Sequence, residues 1–177
     1  MDDNTTKKLE QVLDRSLYGQ GDAKSWESLI EEIETGECHI VWSDNFPVRE
    51  VSVLRIEVIA SEDSQFPGAY LYKVYQEFSD GRRRKRKLSG LSEKIKPGED
   101  LDKAAARAIS EELGIDSSLA AIQIDPCQEV FEEESPSYPG LMSRYLFYIA
   151  TAHLDASVVK EFYVEIQKDK QTLFRWR

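Results

Sequence analysis

The chain has 177 residues, enough for one domain with a small appendage and a real hydrophobic core. Its 41% apolar and 32% charged content is that of a soluble globular protein, and a net charge of −10 argues against general binding to nucleic acid or to an anionic membrane. No run approaches the length of a membrane span, and Cys38 and Cys127 lack any metal-ligand spacing, which excludes a disulfide framework and a zinc site.

The first residues, "MDDNTTKKLEQVLDRSL", have no apolar h-region and are not expected to act as a secretory signal. With two ordinary thiols, the expected compartment is a reducing interior, the cytoplasm. Leu9, Val12, Leu13 and Leu17 recur at helical spacing. A second helix is expected over about 23–34, where Trp26, Leu29, Ile30 and Ile33 share a face. Asp22 is the expected cap at its start and Gly36 the stop at its end. These helices make an N-terminal segment, residues 1–47, with "SDNFPVRE" as the link to a second region, 48–177.

The pattern then changes to strand. "VSVLRIEVIA" is rich in β-branched residues, and "AYLYKVYQEF" alternates apolar with other side chains. "SDGR" is a turn signal, so 69–88 reads as a hairpin whose second strand carries the basic run. Residues 101–113 form a helix ended by Gly114. "AAIQIDPCQEVFEE" and "SRYLFYIATAHL" read as strands around the loop "SPSYPG", and "FYVEIQKDKQTLFRW" has mixed character. Helices and strands alternate too rarely for a doubly wound parallel sheet. The fold class expected is α+β, a mixed β-sheet flanked by helices as an α-β-α sandwich, with the N-terminal helices appended.

The chemistry concentrates in "SEKIKPGEDLDKAAARAISEELGI", residues 92–115. Pro97-Gly98 forces a turn, Glu99 follows, and the helix carries Arg107, Glu111 and Glu112 late. Arg107 and Glu111 are four apart and can pair. Glu111 and Glu112 are neighbours about 100° apart around the axis, so both can lean toward one ion beside the helix. A helix C-terminus already carries negative partial charge, and two carboxylates there call for a cation. A solvated acidic helix end is the plainer alternative.

Glu99, Arg107, Ile109, Glu111, Glu112, Gly114 and Ile115 match in register the signature of the Nudix hydrolase family, G-x5-E-x7-R-E-U-x-E-E-x-G-U with U a bulky aliphatic residue. The stretch resembles that box on a loop–helix, as the family has it. The likeness extends over about residues 48–177 through element order alone. Two positions depart: Glu93 stands at the opening glycine, and Ala108 stands at the glutamate after the arginine. The resemblance implies hydrolysis of a nucleoside diphosphate linked to another group, with Mg²⁺ or Mn²⁺ held by Glu111 and Glu112 and assisted by Glu99 or Glu93, and with Arg107 orienting the carboxylates. Glu133, between Glu132 and Glu134, is the candidate base from a distant loop. The departures leave a second reading open, a catalytically silent Nudix-fold module that binds a nucleotide or a protein partner.

The run "RRRKRK", residues 82–87, stands out in an acidic chain. As a strand it turns alternate cations to opposite faces, and Arg84 and Arg86 are candidates for substrate phosphate. The alternatives are a charged edge strand that discourages pairing and, against the acidic net charge, a nucleic-acid patch. Tyr138 in "SPSYPG", with Arg144 after it, could stack on a base or pack on the core. His39 and His153 have no partner pattern. Trp26 on its apolar helix face offers a homodimer surface or a lid. The expected partner is a small nucleotide.

Overall fold

The computed structural model describes residues 3–177, apart from the side chains of residues 3, 4, 86, 87, 126 and 127. It is a mixed α+β fold of three α-helices and nine strands among the described residues. The strands form a five-stranded sheet of order β1-β2-β7-β6, with β5 also on β2, and a four-stranded sheet of order β4-β3-β9-β8. By contacts the chain forms two compact units, Met1–Val53 with Lys94–Gly98 and Gln128–Phe147, and Leu54–Glu93 with Glu99–Cys127 and Tyr148–Arg177.

In the first unit, α1 (Asp3–Val12) and α2 (Trp26–Glu34) present the apolar stripes their spacing requires. Leu9, Leu13, Trp26 and Leu29 pack with Tyr18, Tyr138 and Leu141 into one buried cluster. The N-terminal segment thus shares its core with residues far along the chain, and the Trp26 face is covered by the chain itself. Ser25, not Asp22, caps α2: its hydroxyl accepts from the Ser28 amide at 3.1 Å. "SDNFPVRE" is not a link but a hairpin. β1 (His39–Ser43) pairs with the start of β2 (Phe46–Ala60) through a two-residue turn, Asp44-Asn45, with φ of 47° and 68°. Asp and Asn tolerate positive φ at both turn positions, which suits the right-handed twist of the strands.

In the second unit, β3 (Leu71–Phe78) and β4 (Arg83–Ser89) form the expected hairpin around Gly81. A bulge at Val74 interrupts both ladders of β3. β5 (Leu91–Lys94) leads to the loop before α3 (Leu101–Leu113). Gly90, between β4 and β5, has φ of 65°, and a Cβ there would sit 1.8 Å from the Ile56 carbonyl oxygen, so only glycine fits. After β6 (Ala120–Glu134) and β7 (Met142–Leu154), the unassigned ending is a hairpin, β8 (Phe162–Ile166) and β9 (Lys170–Trp176). α3 lies against β8. Its buried stripe is Ala105, Ala108, Ile109 and Glu112, the i, i+3, i+4, i+7 pattern of a packed helix face.

Candidate functional site

The loop–helix puts Arg107 at the centre of a carboxylate fork. Its Nε and Nη2 both donate to Glu99 at 2.9 Å, and its Nη1 donates to Glu93 at 2.6 Å. The Glu111 carboxylate lies 3.7 Å from Nη1 but is 60% exposed. This two-sided grip, Glu99 first and then Glu93, raises the guanidinium above its ordinary pKa against the opposing effect of burial. The fork ties Glu99, just before the helix, and Glu93 of β5 to the second turn of α3. Its local cause is sequence spacing: Glu99 precedes the helix, and Arg107 reaches back toward it.

Glu112 points elsewhere. It sits on the buried helix face at 5% exposure, and Lys73 of β3 donates to its Oε2 at 3.4 Å. Burial dominates its titration and pushes its carboxyl up to about 7; Lys73 opposes this, while the neighbouring Glu165 and Glu93 reinforce it. Glu165 is itself buried on β8 and accepts from the Gln167 amide. The two glutamates, Glu93, Lys73, Gln76, Gln167 and Lys170 line a cavity of about 300 Å³. Lys73 also lies over the Phe174 ring at 5.2 Å, which fixes its stem on the apolar floor.

Whether these residues suit a divalent ion depends on where their oxygens go. Mg²⁺ asks for several oxygens in near-octahedral array. Glu99 and Glu93 turn theirs to Arg107, Glu112 turns to Lys73, and Ala108 supplies none. Ala108 is fully buried in the helix stripe, so this position serves packing. Among the described residues no three His, Cys, Asp or Glu side chains come together as a metal centre requires. The donor set does not fit a resident divalent ion.

The other sequence candidates fall in both units. Arg84 pairs in register with Gln76, on the cavity face of the sheet, and is exposed. Arg86 lies outside the described side chains. Glu133, Tyr138 and Arg144 belong to the first unit. Tyr138 is fully buried in that unit's core, 6.1 Å from the Tyr18 ring, and has no open face on which a base could stack. Arg144 donates to Glu132 at 2.5 Å and to Glu50 at 3.5 Å, so it serves an ion-pair network. Glu133 is half-buried on β6. The residues that sequence reading missed are Lys73, Gln76, Glu165, Gln167 and Lys170. Alternation carried a signal for two of them. In "FYVEI" Glu165 shares its face with the core residue Tyr163, and in "LYKVYQEF" Lys73 follows the inward Leu71 at the same period.

No protein-family model matches the chain, and no curated protein matches it. Solved structures that resemble it include the E. coli dihydroneopterin triphosphate pyrophosphohydrolase, at 15% identity and a TM-score of 0.44, covering 71% of this chain and 78% of that one. A C. elegans Ap4A hydrolase aligns at 16% identity and a TM-score of 0.39, again over 71% and 78%. The weight of any functional reading rests on the loop–helix and the cavity themselves.

Proposed function

We propose that this chain is a Nudix-fold binding protein that takes a nucleoside diphosphate linked to another group, and takes it without a resident metal. The observation that carries this is Lys73, whose ammonium stands 3.4 Å from Glu112 inside the cavity, where the box spacing calls for a divalent ion. Lys73 and Lys170 supply positive charge for a diphosphate, and exposed Arg84 lies on the same sheet face. Gln76 and Gln167, whose amides donate to Thr172 and Glu165, also line the cavity. A cavity of about 300 Å³ is at the small end of ligand sites, enough for the diphosphate and part of what it joins.

A hydrolase reading of the same cavity is favoured by Glu93, Glu112 and Glu165 on its wall, and by the family to which the box bears its resemblance. It needs Lys73 to leave Glu112 and Mg²⁺ or Mn²⁺ to be recruited. Calorimetric titration with ADP-ribose, a nucleotide sugar and a dinucleoside polyphosphate, in Mg²⁺, in Mn²⁺ and in EDTA, separates the two. The binding reading expects affinity that survives EDTA and falls about tenfold, or 1.4 kcal/mol, in Lys73→Met. Phosphate release that requires Mg²⁺ or Mn²⁺ and disappears in Glu112→Gln would overturn it in favour of the hydrolase.

A further inference from the structure

The basic run and the tyrosines of β3 meet on the other side of the four-stranded sheet. Alternation sorts the faces: Tyr163, Glu165, Thr172 and Phe174 are buried, while Phe162 and Val164 are 46% and 43% exposed. On this outer face Tyr72 and Tyr75 lie on β3 and Tyr70 just precedes it; Tyr70 is 42% exposed and pairs through its backbone with Arg177. Register brings Arg175 beside Tyr72, Lys85 beside Tyr75, and Arg83 beside Glu77. The Arg83 guanidinium lies over the Tyr75 ring at 5.0 Å, and that of Arg177 lies over Tyr72 at 5.7 Å. Arg83 pairs with Glu77 at 3.1 Å, whereas Lys85, Arg175 and Arg177 make no ion pair among the described residues.

We propose that this face binds single-stranded nucleic acid. Unpaired cations interleaved with aromatic rings are what such a ligand requires: phosphates take the cations, and bases stack on rings or on guanidinium planes. The net charge of −10 repels a polyanion from the rest of the molecule and confines contact to this patch. The same charge segregation disfavours a second copy on this face, since it would set arginines against arginines.

The test is fluorescence anisotropy on the full chain with labelled oligouridylate and oligothymidylate of about a dozen nucleotides, and with a duplex of the same length. The proposal expects the single strands to bind more tightly than the duplex, with affinity falling as salt rises. Tyr75→Ala weakens binding roughly tenfold while Tyr75→Phe, which keeps the ring, does not. Lys85→Ala and Arg175→Ala each lower the salt slope by about one. Three results overturn it: no binding by single strands, an equal response to duplex or to polyphosphate, or a self-associating chain in sedimentation whose dimer is broken by Val164→Lys. Nucleotide titration at the cavity is a separate readout, because Lys73 and Gln76 face the opposite side of the sheet.

Discussion

Glu32 of the first unit and Glu112 of the second are buried to nearly the same degree, at 6% and 5% exposure, yet their carboxyls move in opposite directions. Burial raises both. At Glu32 it is outweighed by Lys24 at 2.7 Å and Arg49 at 2.5 Å, with Lys94 at 3.3 Å adding to them, and the carboxyl falls to about 2. At Glu112 one lysine at 3.4 Å faces two further carboxylates, and the carboxyl rises to about 7. The number and closeness of cationic donors, not depth, decides the sign. Glu32 is a closed ionic joint holding α2 to β2. Glu112 is an under-compensated charge on a cavity wall, where an incoming ligand can change its state.

Breaking the closed joint has the largest expected effect. Arg49→Met leaves Glu32 without its buried guanidinium and should cost about 3–5 kcal/mol in urea unfolding. Pairing it with Glu32→Leu should recover much of that, because no charge is then left buried alone. Arg107→Met removes three donor contacts from Glu99 and Glu93 and should cost about 2–3 kcal/mol, with the loop before α3 losing amide-exchange protection first.

The pH dependence sharpens the contrast. A raised carboxyl stabilises most below its unfolded value, so the Glu112 contribution is full below 4.5 and is lost as pH rises through about 7. A depressed one does the reverse: Glu32 contributes fully above 4.5 and loses that contribution as pH falls toward 2. In a series of urea midpoints, Glu112→Gln should remove the loss on the alkaline side and leave the acid side unchanged. The smallest effect belongs to Glu111→Ala. Its exposed pair with Arg107 at 3.7 Å should change stability by less than about 0.5 kcal/mol. A larger loss would mean that Glu111 has a partner beyond that pair.

The sequence was most legible where local chemistry acts alone. Helix 101–113 with its Gly114 stop, the hairpin around Gly81, and the i, i+4 pair of Arg107 with Glu111 all follow from spacing and propensity, whereas the tighter grip of Arg107 on Glu99 and Glu93 appears only in the fold. The turn at Asp44-Asn45 was equally local but was read as a link, because Phe46-Pro47 after it obscures the start of β2. The C-terminal hairpin escaped because a short apolar run reads as helix or strand until a partner strand is present.

What the sequence determined by itself is the box: a loop, a helix, and an arginine one helical turn before a glutamate with which it pairs. Tertiary structure decided what the box contains. Lys73 lies 39 residues from Glu112, and Glu165 lies on the last hairpin, so no spacing rule joins them. Their meeting depends on which strand packs under α3 and on the pleat turning Lys73 inward. In the first unit, packing against the N-terminal helices likewise decided that Tyr138 is a core residue. Charge in a chain is additive and can be read along it. Compensation of a buried charge depends on distances across the fold, which only packing sets.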